Sequence, residues 1–78
     1  MIDIKINRDI EYSFIDAYSK IFEPGTIITS KNSNYSYIIN KTKNAIKLKF
    51  YNPITSIWQI CNFISSEEIL DKWYITVK

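Results

Sequence analysis

The stretch Ala45-Ile46-Lys47-Leu48-Lys49-Phe50-Tyr51-Asn52-Pro53 decides the fold. Ile46, Leu48 and Phe50 fall on one side of it, and Lys47, Lys49 and Tyr51 on the other. That period of two marks a strand with one face turned to a core. Asn52-Pro53 ends it, because proline has no N–H to continue a ladder. Upstream, the polar turn Lys41-Thr42-Lys43-Asn44 leads back to Tyr35–Asn40, and Lys31-Asn32-Ser33-Asn34 leads back to the β-branched run that begins at Thr26. Downstream, Ile54 to Ile64 is apolar on both faces through Ile57, Trp58, Ile60 and Phe63, the pattern of a central strand or of one carrying a bulge.

Toward the termini the period changes. Ile2, Ile4 and Ile6 alternate with Asp3, Lys5 and Asn7, again as a strand does. Ile10, Phe14, Ala17, Tyr18, Ile21 and Phe22 then recur at helical spacing, with Asn7 or Asp9 available as a cap and Pro24-Gly25 as a stop. Ser65-Ser66-Glu67-Glu68 has the form of a capping box, and Ile69, Leu70 and Trp73 continue a short helix. Tyr74–Val77 either frays or returns to the sheet beside Ile2–Ile6. The expectation is one α+β domain over 1–78, with strands at about 2–7, 26–31, 35–40, 45–51 and 54–64. Helices are expected at about 9–22 and 66–73. Strands joined by turns of three or four residues make an antiparallel β-meander, flat or curled into a small SH3-like barrel, and such an architecture carries no function by itself.

Composition excludes more than it includes. The 78 residues contain no His, one Cys and one Gly. Imidazole chemistry, an internal disulfide and glycine-rich phosphate loops are therefore absent from the sequence. No residue set combines a nucleophile, a tuned base and an orienting group, so we expect neither catalysis nor a cofactor. Cys61, between Ile60 and Asn62, reads as a small buried hydrophobe. The longest apolar run is far short of the roughly 20 residues that span a bilayer, and the N-terminus alternates where a signal peptide would be continuously apolar. A protein of the cytoplasm, with no membrane partner, is expected. Ile, Lys, Asn and Tyr make up half the chain, the signature of AT-rich coding, which points to a low-GC bacterium or to a phage or mobile element of such a host. With 12 aromatics in so small a domain, some must stay at the surface, where a homodimer or a partner would cover them; a monomer is also feasible.

Charge is unevenly placed. Residues 24–66 contain no acid and five lysines (Lys31, Lys41, Lys43, Lys47, Lys49), whereas acids gather in the two helical segments at Asp9, Glu11, Asp16, Glu23, Glu67, Glu68 and Asp71. Candidate binding residues are Lys41, Lys43, Lys47 and Lys49, with Tyr35, Tyr37 and Tyr51 beside them if the strand register allows, and Trp58 and Trp73 as potential anchors. Two functions follow. The first is a non-enzymatic regulator or inhibitor that occupies a larger protein target, for example a host defence nucleoprotein in the manner of an anti-CRISPR protein. The second is a small nucleic-acid-binding barrel whose lysines track phosphates while its tyrosines stack on bases. A third reading gives the lysines no partner at all: they keep a strand face solvated.

Overall fold

A computed structural model describes residues 5–77. In chain order the elements are α1 (Phe14–Lys20), β1 (Thr26–Ser30), β2 (Ser36–Lys41), β3 (Ile46–Asn52), β4 (Ile57–Ile60), α2 (Ser66–Leu70) and β5 (Trp73–Val77). The strands form a single open antiparallel sheet in the order β4-β3-β2-β1-β5, so the molecule is a small α+β domain with a meander and no closed barrel. Among the described residues, no helix is long and apolar enough to cross a membrane.

Local chemistry sets the turns. Between β1 and β2, Ser30 Oγ accepts the backbone N–H groups of Asn32 and Ser33, and Asn34 takes the left-handed conformation (φ 63°) that asparagine tolerates better than most residues. Between β2 and β3, Thr42 N–H donates to the Ala45 carbonyl at 2.8 Å, closing a tight hairpin around Lys43-Asn44. Between β3 and β4, Asn52 Oδ1 accepts from Ile54 N–H and Ser56 turns left-handed (φ 58°).

Both helices lie against one face of the sheet, where Ala17, Ile21, Ile28, Tyr37 and Trp73 form the buried cluster. Trp73 is fully buried. Its ring lies 5.2 Å from Phe14 and 5.4 Å from Tyr37, and its indole N–H donates to the Glu68 carbonyl at 2.8 Å. A buried tryptophan removes about 150–250 Å² from water, roughly 4–6 kcal/mol at 25 cal/mol/Å².

Several sequence expectations are corrected. The strand expected at 2–7 lies partly outside the described residues, and its described part, 5–7, is not a strand; Asn7 N–H instead donates to Thr76 Oγ1 at 3.0 Å. The fifth strand is β5, paired along its length with β1. Helix α1 begins at Phe14 because the Tyr12 backbone exchanges two 2.8 Å hydrogen bonds with Trp73, which holds residue 12 extended; Ser13, rather than Asn7 or Asp9, then caps by accepting from Asp16 N–H. The run 54–64 shortens to Ile57–Ile60 and occupies an edge of the sheet, not its centre. Helix α2 stops at Leu70 because Asp71 turns extended (ψ −174°), which delivers Trp73 to the sheet.

Trp73→Ala is expected to cost roughly 3–5 kcal/mol. A domain of this size holds only about 4–12 kcal/mol in total, so the urea midpoint should fall steeply or vanish. A shift below about 1 kcal/mol would remove Trp73 from its central place.

Candidate binding surface

The sheet face opposite the helices is the outer face. Over β1 and β5, and at Ser36 where β2 begins, it is closed: Ile27, Thr29, Ser36, Tyr74 and Thr76 are buried, Thr29 and Ser36 share a 2.9 Å hydroxyl hydrogen bond, and the Arg8 guanidinium lies 4.9 Å above the Tyr74 ring. Over β2, β3 and β4 it is open, and alternation delivers a defined set of side chains to it. One rung runs Ser36, Tyr51, Trp58; the next Ile38, Lys49, Ile60; the last pairs Asn40 with Lys47. Tyr51 and Trp58 touch, with ring centroids 5.2 Å apart and a 45° tilt, and both are half-buried. Lys49 sits between two isoleucines, a place where a lysine covers apolar surface with its methylenes and keeps its ammonium in water. Lys47 is exposed nearer the hairpin turn, and Lys43 lies exposed in the turn itself.

Of the residues singled out in the sequence, Lys47, Lys49, Tyr51 and Trp58 therefore share one surface, with Lys43 at its end. The others lie elsewhere. Pairing of Ile28 with Tyr37 sets Tyr35 and Tyr37 on the helix-covered face, and pairing of Tyr37 with Phe50 leaves Lys47 and Lys49 on the other one. Tyr35 stacks on Phe50 (5.6 Å, 19°). Trp73 is in the core. Lys41 follows Ile39 in the alternation and helps line a cleft of about 360 Å³ beside Ile21, Phe22, Ile27 and Ile39. That cleft exists because the ladder between β1 and β2 holds only two pairs, Thr29 with Ser36 and Ile28 with Tyr37, before the strands diverge. Lys31 is tied to Glu11 by a 2.8 Å ion pair, whose hydrogen bond and charge raise the lysine's pKa. Ile38, Asn40 and Ile60 complete the open surface and were not singled out. The signal for Ile60 was present in a run apolar on both faces, which suits an open edge as well as a buried centre.

The acidic pole does not form a single patch. Glu11 is paired with Lys31, and Glu68 is buried under β2. The Glu68 carboxylate accepts hydrogen bonds from the Tyr37 hydroxyl and from Ser65 Oγ (3.2 Å), while Ser65 Oγ accepts the Glu68 N–H. Ser65 thus caps α2 as expected, though Glu68 returns to the Ser65 hydroxyl and not to its backbone N–H. Cys61 is half-buried just beyond β4; burial raises its pKa, and its thiol donates to the Phe63 carbonyl at 3.1 Å.

No protein-family model, curated protein or solved structure matches this chain.

Burial, and then the hydrogen bond to Glu68, push the Tyr37 phenol well above its ordinary value of 10.0. The folded chain thus keeps this proton at pH values where the unfolded chain has released it. The stabilisation from this group is complete below pH 10.0 and is lost as pH climbs beyond it. Tyr37→Phe should destabilise the domain by about 1–3 kcal/mol near neutrality, because the carboxylate loses a donor. In denaturation curves taken from about pH 8 to about pH 12, that gap should narrow above pH 10.0. A gap that stays constant to the top of the range counts against this linkage.

Proposed function

We propose that the chain is a non-enzymatic protein-binding module whose working surface is the open outer face of β2, β3 and β4. The observation that carries this reading is the Tyr51–Trp58 pair next to the Ile38-Lys49-Ile60 rung. Aromatic anchors beside apolar area, bordered by a few charges, are what protein interfaces use; tryptophan and tyrosine supply the binding energy, and the charges orient the approach. Lys43, Lys47 and Lys49 favour a target surface that carries carboxylates.

The same geometry weakens the nucleic-acid reading. Single-strand binding needs several aromatic faces free for bases along a continuous basic groove. Here Tyr35 and Tyr37 are turned to the core side, Lys31 is neutralised by Glu11, and the two remaining rings pack against each other. The finer reading rests on composition: an inhibitor carried by a phage or mobile element of an AT-rich host, acting in the host cytoplasm on a larger protein such as a defence nucleoprotein.

The test compares capture of targets from host cells by the wild-type chain, by Trp58→Ala and by Lys47→Glu with Lys49→Glu. Trp58→Ala should weaken binding of the captured target by about 2 kcal/mol or more, some thirtyfold, and the lysine reversal should slow association about tenfold. Circular dichroism should be unchanged in both. A labelled oligonucleotide titrated at two salt concentrations supplies the opposing arm. Tight binding that collapses with salt and with the lysine reversal would replace the protein target by a nucleic acid.

A further inference from the structure

The two edges of the sheet are treated differently. The outer side of β5 is occupied: Tyr12 exchanges two backbone hydrogen bonds with Trp73, and Asn7 N–H reaches Thr76 Oγ1. Along the outer side of β4, no strand is paired among the described residues. The bond from Cys61 N–H to the Leu48 carbonyl, 2.8 Å, fixes which backbone groups face inward. With that register Ile57, Gln59 and Cys61 direct theirs toward β3, so Trp58 and Ile60 direct their N–H and C=O groups away from the sheet. Natural edges are guarded by shortness, lysine, proline, a bulge or an inward charge. Ile57-Trp58-Gln59-Ile60 is short, at four residues, but holds no lysine, proline or charge, and Pro53 and the left-handed Ser56 both precede it.

We propose that β4 is a self-pairing edge, through which two copies of this chain join antiparallel into one continuous ten-stranded sheet. The outward groups are self-complementary about a two-fold axis at Gln59. Trp58 of each copy then stands opposite Ile60 of the other, and each of these pairs exchanges two backbone hydrogen bonds. Apolar side chains meet apolar ones on the outer face, and Gln59 meets Gln59 on the other. No charged residue lies in the strand, so no like charges are brought together at the seam. Ile57 and Ile60, 54% and 55% exposed, are placed to be covered. Pairing would also bring the two Tyr51–Trp58 pairs to one seam, doubling the open surface, although the dimer stands on the edge geometry whatever that surface binds.

Light scattering over a wide dilution series tests the proposal, with a mass of twice 9.3 kDa expected at the concentrated end. Gln59→Lys places two ammonium groups at the axis and should raise the dimer dissociation constant at least tenfold. Ile60→Pro deletes an N–H that the single chain does not use and should do the same. Gln59→Cys in a Cys61→Ser background should cross-link to a covalent dimer on treatment with diamide, since facing residues at an axis lie within disulfide reach. Circular dichroism verifies the fold of each variant. A chain that stays monomeric at every concentration overturns the proposal. So does a dimer untouched by both edge variants, or a dimer in which the introduced cysteines fail to cross-link.

Discussion

Trp73 ties together segments far apart in sequence. Its backbone pairs with Tyr12 on one side and lies opposite Ser30 on the other, its ring packs on Phe14 and Tyr37, and its indole N–H donates to the Glu68 carbonyl, which also accepts the Asp71 N–H that caps α2. A helix so short makes little of its own stability and must be held by packing. Both α1 and α2 meet this condition at the same indole. The C-terminal strand, the start of α1 and the placement of α2 are thus a single arrangement around Trp73.

Polar groups reinforce the same place. Glu68 is buried because it has two hydroxyls to receive, from Tyr37 and Ser65, and because Ser65 is already committed to capping α2. Burying a carboxylate without partners would be costly. With them it specifies how α2 docks, since a shift of one residue would aim the acid away from β2. The Thr29–Ser36 hydroxyl pair does a similar service on the other face, at the rung where the two halves of the sheet meet.

What was legible in the sequence was local. Alternation through Ile46–Phe50, the turn chemistry on either side and the Ser65 cap all operate within a few residues, and the structure follows them. What was not legible depends on distant pairing. Trp73 fits the helical spacing of Ile69 and Leu70, yet β1 needed a partner and the strand won. Tyr35 and Tyr37 sit one strand from Lys47 and Lys49, but their face depends on parity across the turn at Thr42–Ala45, which pairs Tyr37 with Phe50 and leaves Lys47 and Lys49 opposite Asn40 and Ile38. The run from Ile54 to Ile64 looked central because periodicity reports apolarity and not what covers it. The lysine surface was visible in part: β3 announced its own outward residues, while Trp58 and Ile60 join them only through the register of β4.

The sheet's division into a closed half and an open half has a consequence for how such a chain changes over generations. The cluster formed by Ala17, Ile21, Ile28, Tyr37 and Trp73 holds the molecule together, and none of its members reaches the open side of β3 and β4. Residues 47, 49, 51, 58 and 60 can therefore be exchanged without disturbing that cluster. Sequence drift there would reshape the exposed half of the sheet while the scaffold stays intact.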